Sequence, residues 1–203
     1  GTASNYQLAS AGVNNAATIT PATLTVTGTK VYDGNTSFTN ANSNLAITGF
    51  VNSETMGVGA VTTATSNTAN VLPAANYFTA VNWTGGTGAT ALASNYQVPT
   101  SYNATTNAAT ITPATLTVTG TKTYDGNATF TGTANAAGTV TGQFTTVSGL
   151  LGTDAMATAT SSSANAAVAG NSFTGFTLSS GTASNYQLAS AGVNNAATIT
   201  PAT

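Results

Sequence analysis

The sequence predicts an all-β protein built from tandem immunoglobulin-like β-sandwich repeats. Apolar and polar residues alternate in short stretches such as residues 23–27, where Leu24 and Val26 point to one face and threonines to the other. No long stretch has the 3.6-residue apolar period of a helix. Turn sequences rich in Gly and Asn separate the short stretches, as is typical of β-sandwiches. A smaller β-grasp-like sheet is the alternative that this pattern leaves open.

Two nested repeats determine the predicted domain organisation. Residues 1–23 recur without change as residues 181–203, so the long repeat period is 180 residues. Within that period, residues 18–30 recur as residues 110–122. The predicted units are residues 1–20, the C-terminal strands of a preceding repeat; residues 21–112, called module A below; and residues 113–203, called module B, which runs into the next junction. Modules of about 90 residues are typical of independent β domains.

The alternation also predicts the remaining strands and the core. The strands expected after the first one lie at 45–51, 58–63, 77–83, 96–98 and 107–112 in module A, and at 139–147, 154–160, 173–178, 186–188 and 195–200 in module B. The side chains expected to be mainly buried are Leu24, Val26, Tyr32, Ile47, Val81, Trp83 and Tyr96, with Leu116, Val118, Tyr124, Phe176, Leu178 and Tyr186.

The junctions between repeats predict a stiff array. The sequence Thr-Ile-Thr-Pro-Ala-Thr places Pro21, Pro113 and Pro201 between the last strand of one repeat and the first strand of the next. Proline fixes φ and holds the residue before it in extended geometry. No Gly/Ser-rich or charged linker separates the modules. The array is therefore expected to behave as a semi-rigid rod.

Composition excludes several classes of function. Only 3% of the residues are charged, the net charge is -2, and the chain contains neither His nor Cys. Nucleic-acid binding needs clustered Lys and Arg, so no nucleic-acid partner is expected. Without a histidine base, a cysteine nucleophile or clustered acids, we expect no enzymatic activity, no metal and no cofactor. No apolar run has the length of a membrane span, so no membrane insertion is expected in this segment.

The sequence Tyr-Asp-Gly-Asn occurs once in each module, at residues 32–35 and 124–127. Glycine accepts the positive φ of a tight turn, and aspartate caps the backbone that follows it. A calcium site is the sharper alternative, but each module holds only two acids, whereas calcium takes six to eight oxygen ligands. The predicted turn residues are Tyr32, Asp33, Gly34, Tyr124, Asp125 and Gly126.

These turns belong to a set of motifs that resembles a known family. The Tyr-Asp-Gly turn, the Thr-Ile-Thr-Pro junction, the Leu-Thr-Val-Thr-Gly-Thr-Lys strand and the Ala-Ser-Asn-Tyr-Gln segment recur in a fixed order. Together they resemble the YDG-type repeats of large bacterial surface proteins, which occur beside MBG repeats in adhesins similar to filamentous haemagglutinin. The resemblance covers both modules. It implies an extracellular, cell-surface or secreted β-rich stalk or adhesive repeat, and no catalytic residues.

Three functional hypotheses follow from the repeats and this resemblance. The first is a structural stalk or filament segment, whose partners are the neighbouring repeats of the same chain. The second is a repeat that binds surface glycans or a host protein weakly and gains affinity through multivalency. The third is a self-associating biofilm matrix fibre, in which strands of neighbouring copies pair at their edges.

Two kinds of covalent modification are further candidates. Each module supplies one Lys, one acid in its middle and one late Asn, the residue types of a self-formed Lys–Asn isopeptide cross-link; the trios are Lys30, Glu54 and Asn95, and Lys122, Asp154 and Asn185. A simple Lys–carboxylate pair is the alternative. Among the Asn-x-Ser/Thr sequons, Asn35 and Asn127 occupy the same turn in both modules and are the predicted glycosylation sites.

Overall fold

A computed structural model describes residues 2–9, 12, 16–42, 44–57, 62–72, 76–83, 87–99, 101, 103 and 105–203. In these ranges the chain consists of β-strands, loops and three short 3-10 turns, at Ala3–Asn5, Ala93–Asn95 and Ala183–Asn185. The all-β prediction is confirmed. No helix in the described part of the chain is long and apolar enough to cross a membrane.

The strands follow the same order in both modules. Module A contains β1 (Ala22–Thr23), β2 (Thr25–Val31), β3 (Ser37–Thr39), β4 (Ala46–Thr48), β5 (Thr62–Ser66), β6 (Phe78–Trp83), β7 (Tyr96–Gln97) and β8 (Ala109–Thr112). Module B contains β9 (Ala114–Thr123), β10 (Thr129–Asn135), β11 (Phe144–Ser148), β12 (Ala155–Ser161), β13 (Phe173–Ser180), β14 (Tyr186–Leu188) and β15 (Asn195–Thr200). The single strand β9 thus takes the place of β1 and β2.

Module B is built from two sheets. In the first, β9 pairs antiparallel with β11 and parallel with both β14 and β15. The second is antiparallel, in the order β10-β12-β13. Leu116 and Val118 of the first sheet and Phe130, Met156 and Phe173 of the second belong to one buried cluster. Because both sheets contribute to this cluster, the core lies between them and the module is sandwich-like.

Module A repeats this arrangement with shorter strands. Strand β2 pairs antiparallel with β4 and parallel with β8, β1 pairs parallel with β7, and β3, β5 and β6 form the antiparallel sheet. Its separate buried cluster includes Leu24, Val26, Phe38 and Phe78. The rings of Phe38 and Phe78 meet edge to face at 4.9 Å, as the equivalent rings of Phe130 and Phe173 do at 5.0 Å.

The first and last strands of each module run side by side in the same direction. Val31 lies opposite Thr112 where β2 and β8 end, and Thr123 lies opposite Thr200 where β9 and β15 end. The chain enters a module at the start of its first strand and leaves at the end of its last strand. Because these strands are parallel, entry and exit lie at opposite ends of the module.

Most of the core prediction is confirmed. The buried members of the predicted set are Leu24, Val26, Tyr96, Leu116, Val118 and Tyr186. The half-buried members are Tyr32, Ile47, Val81, Phe176 and Leu178. The side chain of Trp83 lies outside the described part of the structure. The prediction is wrong for Tyr124, which is 44% exposed because it follows β9 at the far end of module B, beyond the core.

Two strands were missed and one was placed too early. Strands β3 and β10 each carry a single large apolar residue, Phe38 or Phe130, so their alternation is weak in the sequence. The strand predicted at 139–147 begins only at Phe144, because Gly138 and Gly142 take positive φ values of 88° and 72° and turn the chain first. The strand predicted at 58–63 falls partly on residues 58–61, which lie outside the described residues.

Candidate functional site

Each Tyr-Asp-Gly-Asn turn is organised around a buried lysine. In module B, Lys122 Nζ lies 2.7 Å from Asp125 Oδ1, 2.7 Å from the Asn127 carbonyl oxygen, 3.0 Å from Asn127 Oδ1 and 2.9 Å from the Thr129 carbonyl oxygen. The lysine side chain is 1% exposed. Its ammonium also lies 5.1 Å from the centre of the Phe130 ring, within cation–π range.

The turn itself is shaped by its own polar side chains. Gly126 has φ 83°, and Asp125 Oδ1 accepts the N–H of Asn127 at 3.1 Å. Asn127 Oδ1 in turn accepts the N–H of Thr129 at 3.0 Å. The hydrogen bond from Lys122, followed by the one from the Asn127 N–H, holds the pKa of Asp125 below its usual value. The Asp125 carboxylate thus serves as the acceptor that closes the turn.

Module A contains the same arrangement, atom for atom. Lys30 Nζ contacts Asp33 Oδ1 at 2.7 Å, both oxygens of Asn35 and the Ser37 carbonyl oxygen at 3.0 Å. Gly34 has φ 79°. In both modules the lysine therefore joins the end of the first strand to the strand that follows the turn. The described residues contain no cluster of three or more acids, His or Cys that could hold a metal ion.

The mid-module acids bind tyrosine hydroxyls. Tyr186 donates its hydroxyl hydrogen to Asp154 Oδ2 at 2.6 Å and accepts the N–H of Leu151 at 3.1 Å. Burial, followed by the hydrogen bond to Asp154, raises the pKa of Tyr186 well above its ordinary value. In module A, Tyr96 donates to Glu54 and accepts the N–H of Val51. These pairs tie the short strands β14 and β7 to the loop after β11 and β4.

The structure does not bring together the trios of the isopeptide hypothesis, which is therefore corrected. The amine of Lys122 binds the turn, the carboxylate of Asp154 binds Tyr186, and the amide of Asn185 binds residues of module A. In module A, Lys30 likewise binds its turn and Glu54 binds Tyr96, while Asn95 is exposed. The Lys–carboxylate pair formed instead is local, because three residues separate Lys from Asp along the chain.

The two sequon asparagines lie at the surface. Asn35 and Asn127 are exposed, although the side-chain oxygen of each accepts hydrogen bonds from the lysine and from the backbone two residues later. Glycosylation at these turns stays a prediction. A glycan there would project from the end of the module where the first strand finishes.

The joint between the modules is short and packed. Strand β8 ends at Thr112, Pro113 follows, and β9 begins at Ala114. Across this joint the ring of Tyr32 meets the ring of Tyr186 edge to face, with centroids 5.4 Å apart and an interplanar angle of 81°. Tyr32 also packs against the buried clusters of both modules. The tyrosine of the Tyr-Asp-Gly turn therefore connects the two cores.

Asn185 makes a second contact across the joint. Its side chain is buried, its Oδ1 accepts the N–H of Val71 at 2.8 Å, and its Nδ2 donates to Asn70 Oδ1 at 2.9 Å. The 3-10 turn Ala183–Asn185 places Asn185 and Tyr186 next to each other at the start of β14. Sequence reasoning missed Asn185, Asn70 and Val71 as joint residues. The threefold recurrence of Ala-Ser-Asn-Tyr-Gln was the signal that could have indicated them.

Comparison of the chain with protein-family models, with curated proteins and with solved structures found no match.

Proposed function

We propose that this chain is a structural tandem-repeat segment of an extracellular bacterial adhesin, with immunoglobulin-like sandwich modules of the YDG type that form a semi-rigid stalk. In this proposal the segment is not an enzyme, needs no cofactor and has its neighbouring repeats as main partners. The position of the core between two sheets favours a sandwich over the β-grasp-like alternative, in which a helix would cover the sheet; the described residues hold no helix longer than three residues.

The parallel pairing of first and last strands is the observation that carries the proposal. It separates the entry and exit of module B by the length of β9, whose ten residues span about 33 Å at 3.3 Å per residue. A domain whose ends lie side by side adds little length to a chain. A domain whose ends lie at opposite poles adds its full length each time it is repeated.

The joint contacts support stiffness in addition to length. Proline restricts the single residue between β8 and β9, and the Tyr32–Tyr186 and Asn185 contacts fix the neighbouring surfaces. Bending at this joint would separate the rings and leave the buried Asn185 amide without its partners, which costs free energy. The joint therefore favours one orientation of the two modules.

The surface composition fits an environment outside the cell. With 3% charged residues, the exposed surface is hydrated mainly by hydroxyl and amide groups, whose hydration does not depend on pH or on screening by salt. The absence of Cys from the sequence means that the fold needs no oxidising compartment to form disulfides. These properties suit a stalk exposed to conditions that the cell does not control.

Small-angle X-ray scattering on chains of one, two and three 180-residue units tests the proposal. The maximum dimension should grow in proportion to the number of units, by about 30 Å for each module. A double variant, Tyr32→Ala with Asn185→Ala, should shorten the longest chain on average, while the exposed control Val193→Ala should leave it unchanged. Growth as the square root of the number of units would contradict the stalk, because that scaling belongs to a flexible chain.

The glycan-binding and fibre-forming hypotheses remain separate predictions. Titration of monomeric and multi-unit chains with glycans would support the multivalent hypothesis if only the longer chains bound. Lateral association of the rods, visible by electron microscopy as bundles, would support the fibre hypothesis.

A further inference from the structure

The joint consists of two complementary faces. The face that module A presents, called the distal face, contains Tyr32 together with Asn70 and Val71. The face that module B presents, called the proximal face, contains Asn185 and Tyr186. The ring contact and the two hydrogen bonds described above join these faces.

Module B carries a distal face of the same design that nothing covers in this chain. Ser161 Oγ donates to the carbonyl oxygens of Ala128 and Ser163, as Ser66 Oγ donates to those of Thr36 and Thr68. The loops that follow are therefore equivalent, and Asn165 and Ala166 occupy the places of Asn70 and Val71. Asn165 is exposed, and no hydrogen bond of its side chain or of the Ala166 N–H is found in the described residues.

Tyr124 completes this uncovered face. It follows β9 as Tyr32 follows β2, and its N–H donates to the Thr200 carbonyl oxygen at 2.8 Å as that of Tyr32 donates to the Thr112 carbonyl oxygen at 2.8 Å. The backbone therefore holds both tyrosines in the same position relative to the last strand of their module. Tyr124 is nevertheless 44% exposed, since its ring has no partner module to pack against.

Module A carries the matching proximal face, also uncovered. Its 3-10 turn Ala93–Asn95 leads into Tyr96 with φ -130° and ψ 151°, almost the values of -131° and 155° at Tyr186. Asn95 is exposed, whereas its equivalent Asn185 is buried in the joint. A cavity of about 340 Å³, lined by Leu24, Ala93 and Tyr96 among others, opens beside this turn.

We infer that the distal face of module B binds the proximal face of a further A module. Tyr124 packs on the Tyr96 of that module, and Asn165 and Ala166 bind its Asn95. The occupant is an A module because residues 201–203, Pro-Ala-Thr, repeat residues 21–23 at the point where the next module would begin. The inference rests on the proposed function, since it takes the chain to be part of an array.

The test compares two chains, the 203-residue chain and the same chain extended after Thr203 by residues 24–112. In the shorter chain, Tyr32→Ala should lower the denaturant midpoint and Tyr124→Ala should leave it unchanged. In the extended chain, Tyr124→Ala should lower the midpoint by an amount similar to Tyr32→Ala. Val193→Ala, at a position 90% exposed, is the control that should be neutral in both chains.

Amide hydrogen exchange gives a second readout of the same contact. The Ala166 N–H should exchange slowly only in the extended chain, as the Val71 N–H does in both chains. A Tyr124→Ala effect that is the same in both chains, with an Ala166 amide that stays unprotected, would overturn the inference. If scattering shows that such an extended chain is still straight, the stalk proposal survives that failure. If the extended chain bends although Tyr124 and Ala166 respond as expected, the stalk proposal fails and the interface stands.

Discussion

Replacing the buried lysine of module B by an apolar residue of similar length tests what the Tyr-Asp-Gly-Asn turn contributes to stability. Lys122→Met removes the ammonium that binds Asp125, Asn127 and Thr129. The ion pair itself should contribute little, because the Asp125 side chain is 41% exposed and its charge can be hydrated. The loss should come from the groups that surround the buried Nζ.

The expected size follows from those groups. Two main-chain carbonyl oxygens, of Asn127 and Thr129, lose a charged donor, and an unsatisfied acceptor costs about 1 kcal/mol or more each. Loss of the cation–π contact with Phe130 adds about 1 kcal/mol. We therefore expect Lys122→Met to lower the free energy of unfolding of module B by about 3 kcal/mol. In urea this corresponds to a midpoint shift of about 2 M at a slope of roughly 1.5 kcal/mol/M.

The single tryptophan makes the measurement specific to one module. Trp83 lies in module A, so its fluorescence reports the unfolding of that module, whereas circular dichroism reports both. Lys122→Met should lower the circular dichroism transition of module B and move the fluorescence transition much less. The matched variant Lys30→Met should lower the fluorescence transition by a similar amount, since its lysine has the same partners. Shifts below about 1 kcal/mol in both variants would refute the reasoning, as would a stabilisation of the kind seen when apolar residues replace some buried ion pairs.

Three further outcomes are expected. Because burial and Asp154 raise the pKa of Tyr186, its neutral hydroxyl contributes stability that is complete below pH ~10 and is lost as pH rises further; Tyr186→Phe should flatten that alkaline fall in the denaturant midpoint, and an unchanged slope would count against it. Gly149→Ala should lower the thermal midpoint more than Gly126→Ala, since both glycines have positive φ but only at Gly149 would a Cβ lie 2.5 Å from a backbone oxygen, that of Thr115; equal losses would show that backbone strain alone decides. Under force applied to the chain ends in single-molecule pulling, module A should unfold before module B, and the reverse order would contradict the strand pairing.

Local features of the fold could be predicted from the sequence because short-range physics determines them. Alternation placed β9 and its buried Leu116 and Val118, and proline marked the joint before Ala114. The lysine that organises the turn lies only three residues from Asp125, so a simple pair with a carboxylate could be proposed from spacing alone. Weak alternation hid β10, where Gly132 follows the single large residue Phe130 by two positions.

Long-range pairing could not be predicted in the same way. A period of two is common to parallel and antiparallel strands, so it does not show that β15 runs parallel to β9. The partner of Asp154 is Tyr186, 32 residues away, and the partner of Asn185 is Val71, 114 residues away. Such contacts depend on how the sheets and modules come together. The isopeptide hypothesis failed for this reason, since residue types alone do not show which side chains meet.

The direction of the strands determines how tension would pass through each module. A pull on the array draws the start of the first strand one way and the end of the last strand the other way. Because these strands are parallel neighbours, the pull acts along both of them and slides one past the other, so the hydrogen bonds between them resist together rather than one after another. Six residue pairs join β9 to β15, whereas four join β2 to β8. The buried Lys122 adds a second restraint at the end of β9, where it ties that strand to the turn that begins β10. The pairing that separates the ends of a module is therefore also the pairing that would carry the load along a stalk.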